Sequence, residues 1–87
     1  MTDTEHELVL LAGLRQAFDA NCGASCSAHG DRPAGVLVLW EGHLRGIWFR
    51  RDGAFHFIPG GYVNPTYAST TVAEAVVYTL SGICRAK

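Results

Sequence analysis

Apolar residues recur at helical spacing near the start of the chain. The stripe consists of Leu10, Leu11, Leu14, Ala17 and Phe18. This spacing is typical of an amphipathic helix that packs one side against a core. Thr4 is followed three residues later by Glu7, which fits a capping box at a helix start. The pattern predicts a first helix over residues 5–20.

Three apolar stretches in the middle of the chain alternate with short turn sequences. They cover residues 36–41, 44–51 and 54–59, and the pairs Gly42-His43 and Asp52-Gly53 separate them. Asp-Gly favours a type I′ hairpin turn, because both central residues of that turn need a positive φ. We therefore expect a three-stranded antiparallel meander.

A second helical stripe lies towards the end of the chain. It consists of Val72, Val76, Leu80 and Ile83. Thr71 and Glu74 fit another capping box, so the pattern predicts a second helix over residues 72–85. The segments 21–35 and 60–69 are rich in turn-forming residues, and we expect them to be irregular. The predicted fold is α+β, a single domain over residues 1–87 in the order α-β-β-β-α.

Both faces of the predicted sheet are apolar, which is unusual. Two-residue hairpin loops would fix the register and place Val36 and Val38 on one face with Ile47 and Phe49. An antiparallel sheet with one solvated face alternates apolar and polar residues instead. Either one helix covers each face, or both helices cover one face and a partner covers the other, because monomers seldom expose large apolar patches. A one-residue slip in either hairpin would exchange the two faces.

The second arrangement predicts a protein-binding surface. Aromatic residues and Arg carry most of the energy in protein interfaces. The expected contact residues share one predicted face: Trp40, Arg45, Phe49, Arg51 and His56. On this reading the chain is a small non-catalytic accessory or regulatory protein that binds a protein partner and forms a homodimer. No enzyme activity and no cofactor are predicted.

Composition narrows the choice of function and origin. The 87 residues carry a net charge of −1, whereas non-specific nucleic-acid binding usually needs a basic excess. The chain has no apolar run long enough for a transmembrane helix, and its acidic N-terminus lacks the basic region of a signal peptide, which predicts a cytoplasmic protein. The bias towards Arg over Lys and the abundance of Ala and Gly indicate a high-GC genome, such as that of a phage.

Two nucleic-acid-binding classes resemble parts of this pattern. The order α-β-β-β-α is that of the double-stranded-RNA-binding domain, but residues 69–75 contain no Lys or Arg where that family needs a basic cluster. Residues 36–84 also resemble the ethylene-response-factor and integrase amino-terminal type of DNA-binding domain, in three strands followed by Thr66-Tyr67, Glu74-Ala75 and Tyr78.

The second resemblance implies an Arg-bearing sheet in the DNA major groove. The strand cations would be Arg45, Arg50 and Arg51. Sequence-specific DNA binding is therefore the alternative function.

The cysteines suggest a third possibility. Cys22, Cys26 and His29 could supply three zinc ligands, with Cys84 or His6 as the fourth, because thiolate and imidazole are the preferred ligands of tetrahedral zinc. The spacing is not that of a standard zinc knuckle, so a small zinc-binding module is the second alternative. An odd number of cysteines in a cytosolic chain argues against a disulfide framework.

Overall fold

The chain forms two helices and five strands. The structure is a computed structural model that describes residues 2–31 and 35–83. The elements in chain order are α1 (Asp3–Asn21), a short 3-10 helix (Gly23–Ser25), β1 (Cys26–Asp31), β2 (Gly35–Trp40), β3 (His43–Arg51), β4 (Ala54–Pro59), β5 (Tyr67–Ser69), α2 (Val72–Tyr78) and a π-helical turn (Thr79–Ile83). Arg85, the predicted end of the second helix, and Cys84 lie outside the described residues.

The five strands form one antiparallel sheet in which neighbours in sequence are neighbours in space. The α+β prediction is confirmed, and the three central strands begin and end within one residue of their predicted places. The prediction of only three strands is wrong. The additional strands β1 and β5 lie within the two segments whose composition marks them as irregular.

Strand β1 forms although its sequence has no β-branched or aromatic residue. All six of its residues pair with β2, from Cys26 opposite Trp40 to Asp31 opposite Gly35. Its small side chains fit beneath α1, so Cys26 and Ala28 are 5 % and 2 % exposed. Long-range pairing and packing therefore outweigh the weak β-propensity of this segment.

Helix α1 begins earlier than predicted, because Thr2 is its N-cap. The backbone N–H of Glu5 donates to Thr2 Oγ1 at 3.1 Å, and the backbone N–H of Thr2 donates to Glu5 Oε1 at 2.7 Å. This capping box replaces the predicted one at Thr4 and Glu7. The carboxylate of Glu7 is thereby available for a contact with the sheet.

The hairpin between β2 and β3 differs from the predicted one by one residue. Glu41 and Gly42 form the turn with φ values of 50° and 84°, as a type I′ turn requires. Val36 consequently lies opposite Trp48, and a β-bulge follows Val38. The hairpin at Asp52-Gly53 is confirmed, with φ values of 55° and 79°.

This register places both helices on the same side of the sheet. Helix α1 contacts β1, β2 and β3, and α2 contacts α1 and β5. The fully buried side chains of the sheet all point towards the helices: Val36, Val38, Trp48, Phe55 and Phe57. The prediction that Val36 and Val38 share a face with Ile47 and Phe49 is wrong, because the slip in the hairpin inverts β2 relative to β3.

Trp48 lies at the centre of the core with no exposed surface. Its Nε1–H donates to Thr79 Oγ1 at 3.0 Å, and that hydroxyl donates to the carbonyl of Ala75 at 2.8 Å. These two hydrogen bonds connect the sheet to the end of α2. A Cβ atom at Gly46 would overlap the ring of Phe57, so the core requires glycine at this strand position.

Neither of the helices in the described part of the chain has the length and hydropathy needed to cross a membrane.

Candidate binding surface

The side of the sheet away from the two described helices is apolar. Its large apolar side chains come from the three central strands: Leu37, Leu39, Leu44, Ile47, Phe49 and Ile58. We call the surface formed by these six side chains the open face. Leu44 is 49 % exposed and the other five are half-buried, whereas Val38 and Trp48 on the helix side have no exposed surface.

The open face is continuous across the sheet. Ile47 on β3 lies opposite Leu37 on β2 and Ile58 on β4. Phe49 lies opposite His56, and His29 on β1 lies opposite Leu37. Directly opposite residues share a face and their side chains touch, so the apolar residues form one patch and not isolated contacts.

An aromatic and cationic cluster occupies one end of the open face. The rings of Phe49 and His56 stack with a centroid distance of 5.2 Å and an interplanar angle of 20°. The guanidinium of Arg51 lies 5.4 Å from the centroid of the Phe49 ring. His56 Nε2 is 3.2 Å from the carbonyl oxygen of Arg51. Phe49 is therefore held between a cation and an imidazole at the surface.

The structure brings together three of the five predicted contact residues, namely Phe49, Arg51 and His56. Arg45 is the extra residue of the bulge at the other end of β3, where its carbonyl accepts a hydrogen bond from the backbone N–H of Gly60 at 2.8 Å. Trp40 lies on the helix side and packs against the core, because the hairpin slip turns all of β2 over.

Leu37 and Leu39 belong to the open face, although the expected register puts them on the opposite side. Two signals in the sequence favour the observed register. Glu41-Gly42 is itself a suitable pair for a two-residue turn with positive φ at both positions. Gly46 inside an apolar strand indicates a bulge or a close approach of another group, and both are present there.

The strand cations do not lie on one side. Arg51 is on the open face, but the guanidinium of Arg50 lies 4.7 Å above the ring of Phe55 on the helix side. The backbone N–H of Arg50 donates to the carboxylate of Glu7 at 2.8 Å, which ties α1 to the end of β3. The Nε atom of Arg50 is buried and has no hydrogen-bond partner among the described residues.

The predicted zinc ligands do not converge. Cys22 is half-buried at the end of α1, and Cys26 points into the core. His29 is exposed and lies on the opposite side of β1, because residues three apart in a strand point to opposite faces. Within residues 2–31 and 35–83, no three His, Cys, Asp or Glu side chains are grouped as a metal ion would need.

Comparisons with protein-family models, with curated proteins and with solved structures gave no match to this chain.

Proposed function

We propose that this chain is a small non-catalytic accessory or regulatory protein that binds a protein partner through the open face and forms a homodimer. The observation that carries the proposal is the apolar side of the sheet that neither described helix covers. Contiguous apolar patches of this kind mark interaction sites in soluble proteins. Two such faces stacked at about 10 Å would bury each other as the sheets of a β-sandwich do.

The dimensions of the open face fit a protein interface. Strands about 4.8 Å apart with a rise of about 3.4 Å per residue give this five-stranded sheet a face of roughly 24 by 20 Å. A standard interface buries about 800 Å² on each partner, which exceeds this projected area. The loop after β4 enlarges the surface, since Tyr62 and Val63 are 65 % and 86 % exposed.

The residue types support the proposal as well. Phe49 and Arg51 are of the kinds that dominate binding energy at interface centres. The aliphatic row formed by Leu37, Ile47 and Ile58 supplies area that excludes water. A cytoplasmic location is part of the proposal, because the Cys22 thiol is free, as is usual in reducing compartments.

The test compares charged substitutions on and off the open face. Ile47→Glu and Phe49→Glu place a carboxylate in the proposed interface. Val77→Glu is the matched control, because Val77 is an apolar residue of α2 that is 63 % exposed and lies away from the open face. Light scattering over a concentration series should give a mass near twice 9.4 kDa for the wild type and the control, and near 9.4 kDa for both face variants.

Circular dichroism then distinguishes an interface from a core. Both face variants should keep the folded spectrum of the wild type, because the side chains already contact solvent in one chain. A wild type that stays monomeric at every concentration would refute the homodimer. Unfolding of both face variants would show that the open face is interior and would refute the binding surface itself.

DNA binding is the second candidate, and one observation favours it. Both helices lie behind the sheet, so Arg51 and His56 face outward, as they would in a domain that places its sheet in a DNA groove. However, the centre of the open face is aliphatic, and each phosphate contact needs a cation. Fluorescence anisotropy with duplex DNA at low salt decides the question: salt-sensitive binding supports this candidate, and no binding excludes it.

A further inference from the structure

A groove with a volume of about 480 Å³ runs along β3 on the open face. Its lining residues are Glu7, Ile47, Phe49, Arg50, Arg51, Ile58, Val63, Asn64 and Pro65. The volume falls within the range of about 300–1,000 Å³ that is usual for small-molecule sites. Most of the lining is apolar and a few polar groups converge at one place, which is also usual for such sites.

The two ends of the groove differ in chemistry. Val63 and Pro65, from the loop after β4, border the apolar end, and Arg50 and Arg51 border the other end. The floor from Ile47 to Arg51 is roughly 14 Å long at the rise of a β-strand. A ligand that matches this groove is elongated, with an apolar body and an anionic head.

The cationic end has unused capacity to bind an anion. Within the described residues, neither Arg50 nor Arg51 forms an ion pair, and Arg50 Nε is buried without a partner. A buried donor without a partner costs about 1–3 kcal/mol. Glu7 contributes one negative charge here, but its carboxylate already accepts the backbone N–H of Arg50, so the two guanidinium groups leave a net positive charge.

We propose that this groove binds a medium-chain carboxylate. The carboxylate accepts hydrogen bonds from the guanidinium groups of Arg50 and Arg51, and the hydrocarbon chain lies on Ile47 and Ile58 and points towards Val63. Arg is well suited to this role because its planar group binds a carboxylate with two parallel hydrogen bonds. The inference goes beyond protein binding, and because the groove is part of the open face, the ligand and a second copy of the chain compete.

The experiment titrates decanoate, below the concentration at which it self-associates, into isotope-labelled full-length protein. Methyl decanoate retains the hydrocarbon chain without the charge, and acetate retains the charge without the chain. Decanoate should shift the backbone amide resonances of Ile47, Phe49 and Ile58, and each control compound should bind about tenfold more weakly or worse, which corresponds to about 1.4 kcal/mol. Light scattering should show that decanoate lowers the dimer fraction.

Two variants make the assignment specific. Arg51→Gln should weaken decanoate binding about tenfold, as expected for loss of a charge-assisted hydrogen bond. Arg45→Gln should leave it unchanged, because Arg45 lies at the other end of β3 and outside the groove. Equal binding of decanoate and methyl decanoate, or no effect of Arg51→Gln, would overturn the carboxylate site. Because resonance shifts report binding whether or not the chain dimerises, this failure is distinct from failure of the homodimer.

Discussion

Neighbouring residues on β2 provide a direct test of which side of the sheet is open. Val38 has no exposed surface and Leu37 is half-buried on the open face. Val38→Ala removes two carbon atoms from the core, and Leu37→Ala removes three carbon atoms from the open face. If side-chain size alone mattered, the leucine substitution would cost more free energy of unfolding. The observed register predicts the opposite order.

The magnitudes follow from burial. Two buried carbon atoms contribute about 1.6 kcal/mol at about 0.8 kcal/mol each, and the residual cavity raises the cost of Val38→Ala to about 2–3 kcal/mol. Leu37→Ala should cost about 1 kcal/mol or less in the monomer, because the side chain already contacts water. At about 4–8 °C per kcal/mol for a domain of this size, the Val38 variant should melt roughly 10–20 °C below the wild type.

The assay is urea unfolding followed by circular dichroism at the lowest workable protein concentration. Dilution matters because a dimer that buries Leu37 adds concentration-dependent stability. At high concentration the Leu37 variant should therefore lose more stability relative to the wild type, since its dimer is weakened. A Leu37→Ala variant that is as unstable as Val38→Ala in dilute solution would refute the register, and with it the open face.

Three further predictions concern the framework that holds this surface. Thr79→Val should cost about 1–3 kcal/mol, because the buried indole N–H of Trp48 loses its acceptor, and Thr79→Ser should restore most of the loss in the same urea assay. Gly46→Ala should prevent cooperative thermal unfolding or lower the melting temperature strongly, because the new methyl group overlaps a core ring. Thr2→Ala should cost about 1 kcal/mol through loss of the N-cap, whereas Thr4→Ala should be nearly neutral, and equal effects would contradict the observed capping box.

Local patterns predicted those elements whose signals lie within a few neighbouring residues. The stripe from Leu10 to Phe18 packs on the core as expected. Asp52-Gly53 forms the predicted hairpin, since the turn depends on the two residues at its centre. The backbone N–H of Glu74 donates to Thr71 Oγ1 at the start of α2. Phe49, Arg51 and His56 share a face because the Asp52-Gly53 hairpin fixes their register.

Other features depended on contacts between distant residues. Strand β1 exists because β2 offers it a hydrogen-bonding edge and α1 covers its small side chains. Strand β5 has only three residues, too few for a periodic pattern. Arg50 and Glu7 are far apart in sequence, so only the folded chain shows their contact.

The amino-acid sequence by itself determined that this chain has an α+β fold, with a sheet too apolar for one layer of helices to account for both of its sides. Only the tertiary structure decided which side stays open. A shift of the β2–β3 turn from Gly42-His43 to Glu41-Gly42 exchanges every side chain of β2 between core and surface, because the strand period is two. The choice between these turns rests on fitting Gly46 against Phe57 and Trp48 beneath Thr79, and those contacts form only when the whole sheet is packed.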